Sequence, residues 1–110
     1  MDDLLYLYPS ENLGTSIISI KFSGMNYLSW VRAIRMALMA KNKMGFLDGT
    51  VKEPNKDDNL YHQWHRCDYI FRCWMCGAMK PELSDGFLHI ETSHKLWLKL
   101  SKKYGQSNEP

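Results

Sequence analysis

Residues 22–49, FSGMNYLSWVRAIRMALMAKNKMGFLDG, constrain this chain more than any other stretch: a Gly-Met-Asn turn feeds one amphipathic helix that closes on an Asp-Gly turn. Asn26 has the side chain to cap that helix by accepting from backbone N–H groups one turn on, and Gly24 frees the backbone at the approach. Inside it, Tyr27, Trp30, Val31, Ile34, Leu38 and Met39 recur at helical spacing, while Ser29, Arg32, Arg35 and Lys41 fall mainly between them. One face is therefore built for burial. Lys41 and Lys43 sit where the C-terminal end of the helix dipole favours positive charge, and Gly45 lets the chain leave.

The rest of the chain must cover that face. Its 110 residues, 45% of them hydrophobic, suffice for one domain that buries about two thirds of its unfolded surface without staples. A net charge of +2 arises from acids and bases spread along the sequence, unlike the clustered basic stripe of a dedicated nucleic-acid binder. Asp2 and Asp3 stand where a signal peptide carries positive charge, and Arg32 and Arg35 interrupt the longest apolar helix, so the chain reads as soluble, not exported and cytoplasmic, with no membrane partner. Cys67, Cys73 and Cys76 fall within one predicted helix and are odd in number, which suits a reducing compartment better than a disulfide framework.

Residues 1–22 read as an extended arm, because Pro9, Gly14 and the Ser-Glu-Asn cluster break any helix, and Ile17, Ile18 and Ile20 are β-branched. Residues 23–110 then form the helical domain. Residues 45–59 read as a loop leading to an acidic helix start, with Asp57 and Asp58 serving the dipole of the next helix. That second helix is expected over about Leu60–Met79, with Leu60, Trp64, Cys67, Phe71, Trp74 and Ala78 as a narrow seam that Tyr61, Ile70 and Met75 widen. Pro81 ends it and suits the first turn of a short segment. Thr92 or Ser93 caps a last helix whose Leu96, Trp97, Leu100 and Tyr104 face inward. The fold class that follows is all-α: a compact bundle of about four helical segments behind an extended arm. Its expected core anchors are Trp30, Ile34, Trp64, Phe71, Trp74 and Trp97, together with Val31, Leu38, Leu96 and Leu100.

Candidate chemistry is sparse. Cys73-x2-Cys76, then twelve residues, then His89-x4-His94 satisfies the loose spacing of a two-Cys, two-His zinc finger. Such a finger needs a hairpin for its cysteines and apolar residues at fixed places, whereas these cysteines lie mid-helix, Lys80 and Gly86 occupy the apolar places, and Pro81 breaks the segment. His62 and His65 share a helix face near Cys67 but have no identifiable carboxylate opposite. No metal and no cofactor are expected. Nothing around the three cysteines forms an elbow or active-site signature, and Ser23-Gly24 and Asp48-Gly49 are single turns, so no catalytic residue is assigned and the chain is not read as an enzyme. The tryptophans lie on helix faces with aliphatic neighbours and read as core before stacking platforms. Arg32, Arg35, Lys41 and Lys43 make a basic side that reads as solvated and leaves room for weak RNA association.

With these residues in view, the order Pro9, Ser10, Glu11, Asn12, Gly14, then Gly24, Asn26, Tyr27, Trp30, then Lys43, Gly45, Phe46, Asp48, Gly49 resembles the opening of the Gag polyprotein of plant copia-type LTR retrotransposons. Trp64, Cys67, Asp68, Trp74 and the run from Thr92 to Tyr104 are similar to that family's next region. Cys73, Cys76, His89 and His94 depart from it, since its pattern does not call for metal ligands there. The resemblance implies a structural role: Gag proteins self-associate into a capsid-like shell around the element's RNA, and this would be the N-terminal helical lobe of the capsid region. The family's zinc knuckle normally lies further along, so the chain reads as a fragment or a domesticated, shortened Gag. The expected partner is a second copy, with Ile17, Ile18, Ile20 and Phe22 as candidate groove or intersubunit contacts and arm exchange as a route to a swapped dimer. Two alternatives are a domesticated lobe acting as a host adaptor for a peptide ligand, and a small RNA- or zinc-binding module.

Overall fold

In a computed structural model, residues 20–105 are described. Ile17, Ile18 and the rest of the expected arm up to residue 19 lie outside them. Helix α1, Tyr27–Ala40, starts after the Gly-Met-Asn turn, where Gly24 takes a φ of 91° that a side chain disfavours. Asn26 does not cap α1 as expected. Its Oδ1 instead accepts from the Ser23 N–H and hydroxyl at 2.9 and 3.1 Å, and its Nδ2 donates to the Lys21 carbonyl at 2.9 Å. The side chain thus fixes the turn behind the helix and has no acceptor left for the N–H groups ahead.

The first helix ends at Ala40, before the exit expected at Gly45, and residues 45–48, expected as the start of a loop, form a second helix. α1 stops because Asn42 adopts a left-handed conformation, φ 59°, and two backbone bonds close the end, Lys43 N–H to Leu38 O at 2.8 Å and Asn42 N–H to Met39 O at 3.1 Å. That pair is a Schellman closure with Asn in the place glycine usually takes. Gly45 therefore does not release the helix but begins α2, Gly45–Asp48, which Gly49 ends at φ 85°. Lys43, expected on a solvated basic side, is 1% exposed, because the closure folds it under the helix end.

Helix α3, Tyr61–Gly77, is the spine of the domain and buries Trp64, Cys67, Asp68, Ile70, Phe71 and Met75. α4, Pro81–Ser84, has proline at its first position and runs into a 3-10 turn, Asp85–Phe87. α5, Ser93–Tyr104, is capped by Thr92, whose hydroxyl accepts from the Lys95 N–H at 3.1 Å. All the regular elements among the described residues are helical.

Packing explains the order. Phe46 of α2 lies against Trp64 and Phe71 of α3, with ring centres 5.7 and 5.5 Å away. Its neighbour Leu47 offers a carbonyl 2.7 Å from His94 Nδ1 of α5; since a carbonyl only accepts, that nitrogen carries the proton. Phe22 enters from the other side. Its N–H donates to Ala78 O at 2.8 Å and its carbonyl accepts from the Lys80 N–H at 3.0 Å, a single parallel bridge to Met79. Its ring stacks on Trp30 at 5.0 Å and meets Tyr104 edge-on at 4.8 Å.

Gly49 has no room for a side chain toward α5, because a Cβ there would lie 2.9 Å from the His94 ring. Gly49→Ala is expected to cost about 1–2 kcal/mol from the left-handed backbone alone, with the ring contact adding to it. Thermal unfolding of the variant checks this; an unchanged midpoint would show that the turn can re-form without a positive φ.

Candidate interaction surface

The residues expected to anchor the core divide into two groups. Trp30, Ile34, Trp64 and Phe71 are buried, whereas Trp74 and Trp97 are half-buried and pack against the core from its margin. The stripe of α3 is turned relative to the expected seam because α5 docks beside Asp68. The Ser93 N–H donates to Asp68 Oδ1 at 2.9 Å and the Ser93 hydroxyl to the Asp68 carbonyl at 3.0 Å. Arg72 spans the same corner, donating to Ile90 O at 2.9 Å while its Nε stands 3.2 Å from Asp68 Oδ2, in contact without the alignment of a hydrogen bond. Burial lifts the Asp68 carboxyl above the ordinary carboxylate range, and the bonds from Ser93 and the charge of Arg72 pull it part of the way back.

The titratable groups singled out in the sequence are scattered. Cys67 is buried in the core, and His65 lies 2.7 Å from Glu53, a surface pair that spacing could not reveal. His94 is engaged with Leu47 and His89 is exposed. Among the described residues no group of three or more His, Cys, Asp or Glu is placed to hold a metal ion. Cys73 and Cys76 line one side of a groove of about 230 Å³, with Tyr69, Phe87, Leu88 and Ile90 among its other walls. Burial, reinforced by Cys73, pushes the Cys76 thiol up, so it stands protonated at neutral pH and is a weak nucleophile.

Of the expected contact residues, Ile20 is exposed and Phe22 is fully buried in its own domain. The pronounced apolar surface lies instead on α1. Leu28, Met36 and Met39 are exposed, with Met36 at 73% and Met39 at 62%; Met39 thus leaves the buried face assigned to it. Together with Arg32 and Arg35 these residues fall at four- and three-residue steps, on the side of α1 opposite Trp30, Ile34 and Leu38, over about 16 Å of helix. None of the ion pairs among the described residues involves Arg32 or Arg35. At its C-terminal end the ridge borders a depression of about 380 Å³ lined by Arg35, Met39, Met44 and Asp48 among others. Methionines on a surface suit contact with another protein, because their flexible thioethers adapt to a partner's shape. Sequence periodicity held the signal for this ridge, in apolar residues lying off the buried stripe.

Among the described residues no helix is long and apolar enough to cross a membrane. No curated protein and no solved structure matches the chain. Residues 8–55, which include all of α1 and α2, match the family model described as Gag-polypeptide of LTR copia-type. That match, over somewhat less than half of the chain, supports a copia-type Gag domain in this N-terminal part.

Proposed function

We propose that this chain is an assembly domain of a copia-type Gag, whose work is to associate with further copies of itself in a capsid-like particle in the cytoplasm. Its role on this reading is structural and not enzymatic. The observation that carries it is the coincidence of two features on α1. The helix lies within the segment matched to copia-type Gag, and it turns an exposed apolar ridge outward while its opposite face is spent on the core. An exposed apolar ridge of this kind marks a site of protein contact, and a shell subunit needs such surfaces.

Light scattering on the full chain, separated by size over a range of concentrations, tests this. The mass is expected to rise with concentration from 12.9 kDa to multiples of it. A constant monomer mass up to millimolar concentration would sink the proposal and favour a lobe that binds other proteins.

A further inference from the structure

The groove and the ridge are complementary in shape class, and the groove is flanked by exposed acidic residues where the ridge carries arginines. The groove is mainly apolar, with Arg72 as the charged residue of its lining, and Phe87, Leu88 and Ile90 in its wall belong to residues 81–92, which carry Glu82, Asp85 and Glu91 outside that lining and no lysine or arginine. Glu91 is engaged by Lys95 at 3.0 Å, while Glu82 and Asp85 are exposed. Of the nearby cations, Arg72 is held by Asp68 and Ile90 and Lys103 lies over the Phe87 ring at 5.8 Å, while Lys80, just ahead of α4, is exposed. The ridge is the reverse, apolar with two arginines outside every ion pair among the described residues. The two patches share no residue, and Trp30, Ile34 and Leu38 hold the ridge facing away from its own core.

Resting on the assembly reading above, we infer that copies associate head to tail, the α1 ridge of one copy seating Met36 and Met39 in the groove beside Phe87 and Leu88 of the next, with Arg32 and Arg35 meeting Glu82 and Asp85. The contact is heterologous, since each copy offers a ridge and a groove, so it propagates into rings or open chains instead of closing as a two-fold dimer. It is small for a protein interface, so one contact is weak and association builds with concentration. Its charged rim is exposed to solvent, so added salt weakens it.

A charge exchange on the full chain tests this arrangement by light scattering. One variant carries Arg32→Glu and Arg35→Glu, a second Glu82→Lys and Asp85→Lys; all four sites are exposed, and circular dichroism verifies that each variant keeps its helices. Either variant alone is expected to self-associate about tenfold or more weakly, because like charges then face each other. Mixing the two at equal amounts restores association, since each ridge again meets a groove of opposite sign. A third variant, Met36→Ser with Met39→Ser, loses association without any charge change. If the wild type associates but neither charge variant weakens it, the ridge-in-groove contact is wrong and the assembly reading stands. Loss in both variants without recovery on mixing also overturns the pairing, as does an unaffected Glu82→Lys, Asp85→Lys variant, which a ridge-to-ridge dimer would give. A wild type that stays monomeric overturns both readings.

Discussion

Phe22→Ala is expected to cost about 3–5 kcal/mol of folding free energy, a large part of the roughly 5–15 kcal/mol that domains typically have. The residue is fully buried, and its ring is the piece that α1 and α5 share, stacked on Trp30 and set edge-on to Tyr104 and Tyr27. Its backbone adds two hydrogen bonds to the chain just after α3. Alanine keeps the bonds and removes the ring, so the loss is that of a cavity at the junction of three helices. Urea or thermal unfolding followed by circular dichroism measures it. Ile20→Ala, two residues earlier and exposed, supplies the contrast and should change stability by less than about 0.5 kcal/mol. If Phe22 instead served a neighbouring copy, the variant would unfold at the wild-type midpoint and lose only its oligomers.

That Phe22 belongs to the core and not to an intersubunit contact could not be read from the sequence. An isolated aromatic after three isoleucines fits either a docked strand or an exchanged arm, and the partner that decides, Ala78 to Lys80, lies more than fifty residues on. Features set by local chemistry were legible. Pro81 at the first position of α4, a cap for α5 at Thr92 or Ser93, which the structure gives to Thr92, and Gly24 at a positive φ each follow from what one residue type can do. The end of the first helix was legible only to within a turn, because Gly45 draws it while Asn42, entering a left-handed conformation, makes it, and the short helix over Gly45–Asp48 carries too little periodicity to be read. Asn26 shows the same limit: its side chain suits a cap, but whether it bonds forward to the helix or backward to Ser23 depends on a turn that spacing does not describe.

The surface shows a different gap. Hydrophobic periodicity identifies which residues recur on a helix, and it placed Met39 with the buried set. The buried stripe of α1 is narrower, Trp30, Ile34 and Leu38, because α1 packs on the core along one line. Met36, Met39 and Leu28 are left outside with the arginines. An apolar excess beyond what the core can use was therefore in the sequence, but its meaning as a ridge required knowing how wide the core contact is. The thiols of Cys73 and Cys76 show the converse. Their spacing meets a loose metal pattern that their mid-helix position argues against, and the helix places them on the wall of a groove that spacing does not describe.

Asp68 carries the second large effect. A carboxylate in the middle of an apolar stripe reads as a solvent-facing residue, yet it is 1% exposed because Ser93, at the first turn of α5, supplies its N–H and Arg72 its charge. Asp68→Ala is expected to cost about 3 kcal/mol, toward the low end for breaking a buried pair because Arg72 keeps some access to water. Asp68→Asn should cost less, since the amide oxygen can still accept from the Ser93 N–H. The pH dependence separates the two contributions. Because burial holds the Asp68 carboxyl above its unfolded value, protonation favours the folded state. The stabilisation it brings is fully present below the unfolded value of about 3.9 and is lost as pH rises through the higher folded value. The asparagine variant has nothing to titrate at this position, so the wild-type advantage over Asp68→Asn, followed by denaturant unfolding from about pH 7 down to about pH 3, should grow as pH falls. An advantage that shrinks on acidification would mean that Arg72 and Ser93 outweigh burial, and that the corner between α3 and α5 is held by charge and not in spite of it.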